Sequence, residues 1–337
     1  MESSRTKSPE RAYHFALFGK REPKVGLGFF RSGARPQLNL VVEFIDEFKN
    51  DYGIEPIIRA LEDTSAQIAV SSYYAHKTRP KSQRAIRDEK LVPLMRKVFE
   101  ENYCCYGARK MWHSMNREHS TDLGPIARCT IERLMPVAGL RGISRRRKRP
   151  ATKSLDPADA PKDLVKRQFT AQGPNGFWVA DITYIPTQAG WVYAAFVLDA
   201  ATREIVGWQV TTHMKESLAT DALTMALAAR YRAGDDTTGL IHHSDRGVQY
   251  RSIKYGETLG EAKAFASVGA KGDSYDNAMA EALNSVFKAE LIDRKSWSGL
   301  IEVMAETCAW VGWYNSQRLH SSLGCTTSRE AHQAYVV

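Results

Sequence analysis

Residues 240–291 read LIHHSDRGVQYRSIKYGETLGEAKAFASVGAKGDSYDNAMAEALNSVFKAEL, and two acids in this stretch, Asp245 and Glu281, organise the interpretation of the chain. Asp245 follows a short apolar run, and Glu281 lies on a segment with the four-residue spacing of an amphipathic helix. The apolar positions are Ala278, Ala282, Leu283, Val286, Phe287 and Leu291. We expect the opposite, solvent-facing side to hold Glu281, Asn284, Ser285 and Lys288.

A third acid, Asp181, lies upstream in the segment FWVADITYI. The aromatic and β-branched residues around it predict a central strand that is buried on both faces. A buried carboxylate is costly unless it is paired or bound to a cation, and hard cations such as Mg²⁺ prefer oxygen ligands. Any one of the three acids is explained as well by a solvent-facing or capping role, but the three together favour a site for divalent metal.

Four motifs follow one another along the chain: WVADITYI, HHSDRGVQY, SVGAKGDSYDNAMAEALN and YNSQRLHSSLG. With them the chain resembles, over roughly residues 40–337, the second-reading-frame product of the insertion-sequence-three (IS-three) family of bacterial transposases. The resemblance implies an α/β fold: an RNase H-like integrase core, with a mixed five-stranded sheet and flanking helices, preceded by all-α helix-turn-helix-like domains. Ala282, Ser285 and Thr327 depart from the residues usual in the family, and none of these departures removes a metal ligand.

The resemblance places the family's catalytic and metal-binding triad on Asp181, Asp245 and Glu281. It implies Mg²⁺, with Mn²⁺ able to substitute, and a two-metal phosphoryl transfer that cleaves element ends and joins the 3′-OH to target DNA. The implied partners are the terminal repeats of the element, target DNA, and further copies of the chain assembled on DNA. A non-catalytic DNA-binding remnant or repressor is the alternative, and the intact acids at all three positions argue against it.

A retroviral-type integrase is a second alternative, because such proteins have a similar core. They also carry an N-terminal zinc module of two His and two Cys residues. The five cysteines here show no CxxC spacing, which argues against a zinc site and against a disulfide scaffold; they are Cys104, Cys105, Cys129, Cys308 and Cys325.

The positive net charge of the chain agrees with a negatively charged partner. The 337 residues have a formal net charge of +9 and are 43% hydrophobic, which favours a globular protein that binds a polyanion. No apolar run approaches the length of a transmembrane helix, and residues 1–20 lack a signal-peptide core. We therefore expect a cytoplasmic protein.

Changes in periodicity and charge divide the chain into five segments. They are an irregular extension (1–38), a helical helix-turn-helix-like unit (39–80), a helix-turn-helix-like DNA-binding domain (81–144), a basic linker (145–167) and the catalytic core with a C-terminal helical segment (168–337). Within the second helical domain a third helix is predicted from Pro125 to Met135, ended by Pro136.

Several cations are candidates for DNA contact, although charged groups of this kind are often only solvated. Two lie on the predicted third helix, five form a basic run, one lies in the loop predicted for residues 267–277, and one follows Glu281 by two helical turns. They are Arg128, Arg133, Arg145, Arg146, Arg147, Lys148, Arg149, Lys271 and Lys288.

Other polar residues receive structural roles. Asp199 is assigned to a turn, Ser217 to the N-cap of the next helix, and Asn315 to a helix end. His242 and His243 are adjacent on a strand and should point to opposite faces, so they do not form a zinc site together. Two tryptophans near the C-terminus, Trp310 and Trp313, are assigned to the core.

Overall fold

The computed structural model describes residues 35–143, 173–245, 248–268 and 278–336. They belong to two compact units, with the boundary between Arg87 and Asp88. None of the helices in these ranges combines the length and the apolar character that a membrane crossing requires.

The first unit holds three short helices around a small apolar core. They are α1 (Leu38–Tyr52), α2 (Ile54–Ala60) and α3 (Val70–Thr78). Gly53, at a φ of 80°, separates α1 from α2, a conformation that glycine adopts without steric cost. Val41, Ile45 and Tyr73 are among the buried residues. The helices predicted within residues 39–80 are therefore present, and α3 extends beyond its predicted end at Tyr74.

Three further helices precede the sheet: α4 (Gln83–Glu101), which includes the boundary, α5 (Ala108–Leu123) and α6 (Arg128–Val137). Helix α6 starts three residues later than predicted and continues through Pro136. Pro136 has no N–H to donate, and the helix ends one residue after it, where the N–H of Ala138 donates to the C=O of Leu134.

A mixed sheet forms the centre of the second unit. Its strands are β1 (Phe177–Thr187), β2 (Gly190–Asp199), β3 (Ile205–Thr211), β4 (Ile241–Ser244) and β5 (Phe265–Val268), in the order β3-β2-β1-β4-β5. The first three strands are antiparallel, whereas β4 is parallel to β1 and β5 is parallel to β4. This confirms the predicted fold class.

The helices that accompany the sheet are α7 (Glu216–Ala233), α8 (Ile253–Glu261), α9 (Ala278–Glu290), α10 (Leu300–Ser316) and α11 (Ser328–Val336). Single 3₁₀ turns lie at Val248–Arg251, Ile292–Arg294 and Ser321–Leu323. The prediction of Ser217 as N-cap is wrong, because α7 begins at Glu216 and its N-cap is Lys215.

Both faces of the sheet are covered, because alternate strand residues point to opposite sides. Trp178 and Ala180 of β1 pack in one buried cluster with residues of α7 and α8. Val179 of β1 belongs to the other cluster, which contains residues of α9 and α10. Trp310 and Trp313 are buried in this second cluster, as predicted.

The same second cluster extends into the helices that precede the sheet. Apolar residues of α4, α5 and α6 belong to it, among them Met95, Met111 and Leu134. The indole of Trp313 donates to the side-chain oxygen of Asn102 at 3.2 Å. Residues 88–143 and 173–336 thus share one hydrophobic core.

Asp199 confirms its assignment to a turn. Its buried carboxylate accepts hydrogen bonds from the backbone N–H groups of Asn175, Ala201 and Thr202, from the Thr202 hydroxyl, and from the indole of Trp178. Five hydrogen-bond donors compensate its negative charge, and Asp199 thereby stabilises the turn between β2 and β3.

Asn315 does not cap its own helix. Its side-chain amide exchanges two hydrogen bonds, both of 2.9 Å, with the backbone N–H and C=O of Ile205 on β3. The predicted capping role is wrong because the buried start of β3 offers both a donor and an acceptor across the fold.

Candidate active site

Asp181 and Asp245 occupy equivalent positions on neighbouring parallel strands. The register of β1 and β4 pairs Ala180 with Ser244, and each acid is the next residue along its own strand direction. Neighbouring strands lie about 4.8 Å apart. The fold therefore brings these two acids together, although 63 residues of sequence lie between them.

Helix α9 brings the third acid to the same edge. It packs against β1, and the side-chain amide of Asn284 donates to Asp181 Oδ2 at 2.9 Å. Glu281 lies one helical turn before Asn284 and is exposed. The contact between Asn284 and Asp181 thus fixes the part of α9 that contains Glu281 beside the two aspartates.

The electrostatics of Asp181 show the effect of this grouping. The pKa of its carboxyl is raised to about 6, chiefly by burial and also by the negative charges of Asp245 and Glu281. Hydrogen bonds from the Ile182 N–H and the Asn284 amide lower the pKa and offset only part of this effect. The ionised carboxylate is therefore under-compensated, and a cation at this edge would restore the balance.

The donor chemistry fits a hard divalent cation, since all three side chains offer carboxylate oxygens. Within the described ranges, no three His, Cys, Asp or Glu side chains stand close enough together to form a complete metal-binding group. The buried Oδ1 atom of Asn284 has no hydrogen-bond partner among the described residues. The edge therefore has the right ligand types and an unsatisfied oxygen, without a closed coordination shell.

Helix α9 differs from its predicted amphipathic pattern at three positions. Asn284 is buried, whereas Ala278 and Ala282 are exposed. The prediction placed Asn284 on the solvent face because an amide is polar, but its bond to Asp181 places it against the sheet. Asn284 is the residue of this site that sequence periodicity missed.

Lys288 lies two turns after Glu281 and is half-buried. Its ammonium lies 4.3 Å from the centre of the Tyr184 ring on β1, a cation–π contact. The Tyr184 ring is itself exposed and makes an edge contact with Trp191 on β2. Lys288 is thus held at the sheet surface with aromatic groups.

The two histidines next to Asp245 confirm the prediction that they face opposite ways. The Nε2 atom of His242 lies 3.1 Å from the Tyr255 hydroxyl, and Nδ1 of His243 lies 3.0 Å from the Ser267 hydroxyl. Burial lowers the pKa of His242 to about 4, which keeps its ring neutral. Tyr250, five residues after Asp245, is buried.

The remaining candidates for DNA contact divide into two groups. Arg128 pairs with Glu132 at 2.8 Å, and Arg133 pairs with Asp88 at 2.8 Å, so each guanidinium has a carboxylate partner. The others lie outside the described residues: Arg145, Arg146, Arg147, Lys148, Arg149 and Lys271.

Comparison with protein families assigns both parts of the second unit. Residues 86–148 match the model of an HTH-like domain, and residues 171–274 and 265–327 match two models of the integrase core domain.

Named relatives cover most of the chain. It is 43% identical over 300 residues to the transposase for insertion sequence element IS629 of Shigella sonnei, covering 88% of this chain and 96% of that protein. It is 45% identical over 271 residues to the putative transposase for IS986/IS6110 of Mycobacterium tuberculosis (strain ATCC 25618 / H37Rv), covering 80% of this chain and 96% of that one. Among solved structures, the HTLV-2 integrase catalytic core domain in complex with magnesium aligns with 48% of this chain and 98% of its own, at 14% identity and a TM-score of 0.36.

Proposed function

We propose, from the premise that this chain belongs to the insertion-sequence-three family of transposases, that it catalyses DNA transposition by metal-dependent phosphoryl transfer. The observation that supports this most directly is the edge where β1, β4 and α9 meet, with Asp181, Asp245 and Glu281. Their carboxylates would hold Mg²⁺, or Mn²⁺ in its place. Such ions, when bound, activate the attacking oxygen and stabilise the leaving one.

The side chains of this chain position the reacting groups. Asp181 and Asp245 are set by strand register, whereas Glu281 lies on a helix that Asn284 attaches to Asp181. In the proposed reaction, water first cleaves a phosphodiester at an element end. The freed 3′-OH then attacks target DNA, so that no covalent bond between protein and DNA is needed.

The helical segments would bind the element ends. We assign this role to the unit 39–80, the domain 81–144 and the basic linker 145–167, with the terminal repeats as their ligand. Two ends have to be brought together for joining, which calls for a homo-oligomer assembled on DNA. The net charge of +9 supports such a partner, because phosphate contacts dominate the affinity of proteins for DNA.

The test is isosteric neutralisation of the three acids in the full chain. Asp181→Asn, Asp245→Asn and Glu281→Gln should each reduce Mg²⁺-dependent cleavage and joining of an element-end duplex by at least about a thousandfold, since each removes a metal ligand. Binding of the same duplex, measured by mobility shift, should stay within about threefold of wild type.

Asp221→Asn is the matched control, because Asp221 is an exposed acid on α7 outside this edge. It should retain wild-type cleavage. Full activity in any one of the three acid variants would remove that residue from the site. DNA binding by the wild type without metal-dependent cleavage would favour the non-catalytic alternative.

A further inference from the structure

A second concave site lies where the helices preceding the sheet meet the end of α9. It is a cavity of about 450 Å³. Its walls come from the start of α5, the last turns of α9, Ile143 and Arg318. Glu290 at this end of α9 is nine residues from Glu281, which corresponds to about 13 Å along the helix axis. The cavity is therefore separate from the acidic edge but lies on the same helix.

The negative charge in the cavity wall is already compensated. Arg318 donates to both carboxylate oxygens of Glu290 at 2.7 to 3.2 Å, and both side chains are buried. A buried, hydrogen-bonded ion pair of this kind adds no net charge to the wall. The net charge of the cavity wall then depends on the remaining cations, which are on α5 and α6.

Two of those cations form no ion pair with a carboxylate among the described residues. Within the part of the chain that the structure describes, no acidic group lies within ion-pair distance of Arg109 or Lys110. The Lys110 ammonium lies 5.3 Å from the centre of the Tyr106 ring and is half-buried. Arg128, on the same wall, forms an ion pair with Glu132. The cavity is thus electropositive.

Lys110 is held at an energetic cost that an anion would relieve. The pKa of its ammonium is lowered to about 8, first by burial and then by the positive charge of Arg318, and the negative charge of Glu290 offsets only part of this effect. An anion bound beside it would favour the charged form.

We propose that this cavity binds a backbone phosphate of duplex DNA, held by Lys110 and Arg109. This inference rests on the proposed function, since it takes DNA as the ligand. Arg109 and Lys110 lie within residues 86–148, which match the HTH-like domain model, and DNA binding is assigned to this region above.

The experiment measures binding of the full-length chain to an element-end duplex as a function of salt. Lys110→Gln should weaken binding about tenfold, for all sequences alike, and reduce the slope of log affinity against log salt by about one. Lys97→Gln is the matched control, because Lys97 is an exposed lysine on α4 that pairs with Glu101 at 3.9 Å. It should bind as the wild type does.

Arg109→Gln is the second variant, and it guards against misfolding because Arg109 is exposed. It should show the same loss of affinity and slope, with an unchanged midpoint of thermal unfolding. Wild-type affinity and slope in well-folded Lys110→Gln and Arg109→Gln proteins would overturn the proposal.

A measurement with inorganic phosphate tests whether DNA or a free anion occupies the cavity. If phosphate raised the unfolding midpoint of the wild type but not of Lys110→Gln, while both bound DNA equally, the cavity would be a free-phosphate site and the DNA assignment would be wrong. Absence of any DNA binding by the wild type would overturn the proposed function as well, whereas wild-type binding without an effect of Lys110→Gln would overturn the cavity alone.

Discussion

At the scale of single residues, the ionised carboxylate of Asp181 at the candidate site lowers the stability of the fold. Its carboxylate is half-buried, lies beside two other acids, and is compensated by two hydrogen bonds. Its pKa of about 6 exceeds the value of 3.8 for an unperturbed aspartate. A folded pKa above the unfolded one means that ionisation favours the unfolded chain.

The sign of the resulting pH dependence is fixed. Below about pH 4 the carboxyl is protonated in both the folded and the unfolded state and does not affect the free energy of unfolding. As the pH rises from about 4 to 6, the free energy of unfolding decreases. Above about pH 6 this loss is complete. Asp181→Asn should remove this loss. Without metal we expect the variant to be more stable than the wild type by roughly 2–3 kcal/mol above pH 6, at 1.36 kcal/mol per pK unit, and equal to it near pH 4.

Thermal unfolding in the presence of a chelator between pH 4 and 8 checks this expectation. The hydrogen bond from Ile182 is kept by the new amide, and Asn284 can turn its partnerless Oδ1 towards the new N–H group. Asp221→Asn, at an exposed position, should show no such trend with pH. A variant less stable than the wild type at pH 8 would mean that the Asp181 charge is not under-compensated.

How far the sequence predicts the site depends on the kind of residue. Asp181 and Asp245 stand out because a carboxylate inside or at the end of an apolar strand needs an explanation. Asn284 does not stand out, because a buried amide and an exposed one look alike in a helical pattern. Its partner Asp181 is 103 residues away, and only the fold brings the two together.

At the scale of elements, β3 and α7 approach each other unusually closely at Gly207. A Cβ atom at this position would lie 2.1 Å from the backbone oxygen of Ala222 and 2.8 Å from Cβ of Ala226. Alanines on α7 and glycine on β3 let the helix backbone come near the sheet. The role of Gly207 cannot be recognised from the sequence of β3 alone, because it depends on where α7 lies.

Gly207→Ala should therefore destabilise the second unit by about 3 kcal/mol, because the backbone of α7 has to move away and the packing of both elements suffers. Chemical denaturation monitored by circular dichroism measures the loss. Gly312→Ala on α10 is the control, since nothing lies within 4 Å of its added methyl group. That change should be neutral or stabilise by about 0.5–1 kcal/mol. Equal effects of the two substitutions would mean that β3 and α7 are not closely packed at Gly207.

Other elements show why boundaries are harder to predict than identities. Composition predicts the strand around Asp181, whereas Ser267 and Val268 are predicted to lie in a loop and instead end β5. A parallel strand of four residues has too few positions to show a period. It is a strand because β4 pairs with it, and that pairing is not local in sequence.

At the scale of the whole molecule, the helices before the sheet and the sheet domain belong to one core. The sequence predicted a helical DNA-binding domain, a linker and a catalytic core as successive segments, and gave no sign of contacts between the first and the last. Tyr106 makes such a contact. Its hydroxyl accepts from the Leu319 N–H at 2.9 Å, across 213 residues, and donates to the Gln317 C=O at 3.4 Å.

This contact predicts that residues 88–143 and the sheet domain unfold together. Tyr106→Phe leaves the buried N–H of Leu319 without its acceptor, which should cost about 1–3 kcal/mol. Because both parts share one core, hydrogen exchange of slowly exchanging amides on α5 and on β1 should accelerate by the same factor, whereas Tyr231→Phe, at a side chain that is 86% exposed, should change neither. Faster exchange confined to α5 would show that the helices open independently of the sheet. A common factor would mean that any ligand bound at these helices also stabilises the strand that bears Asp181.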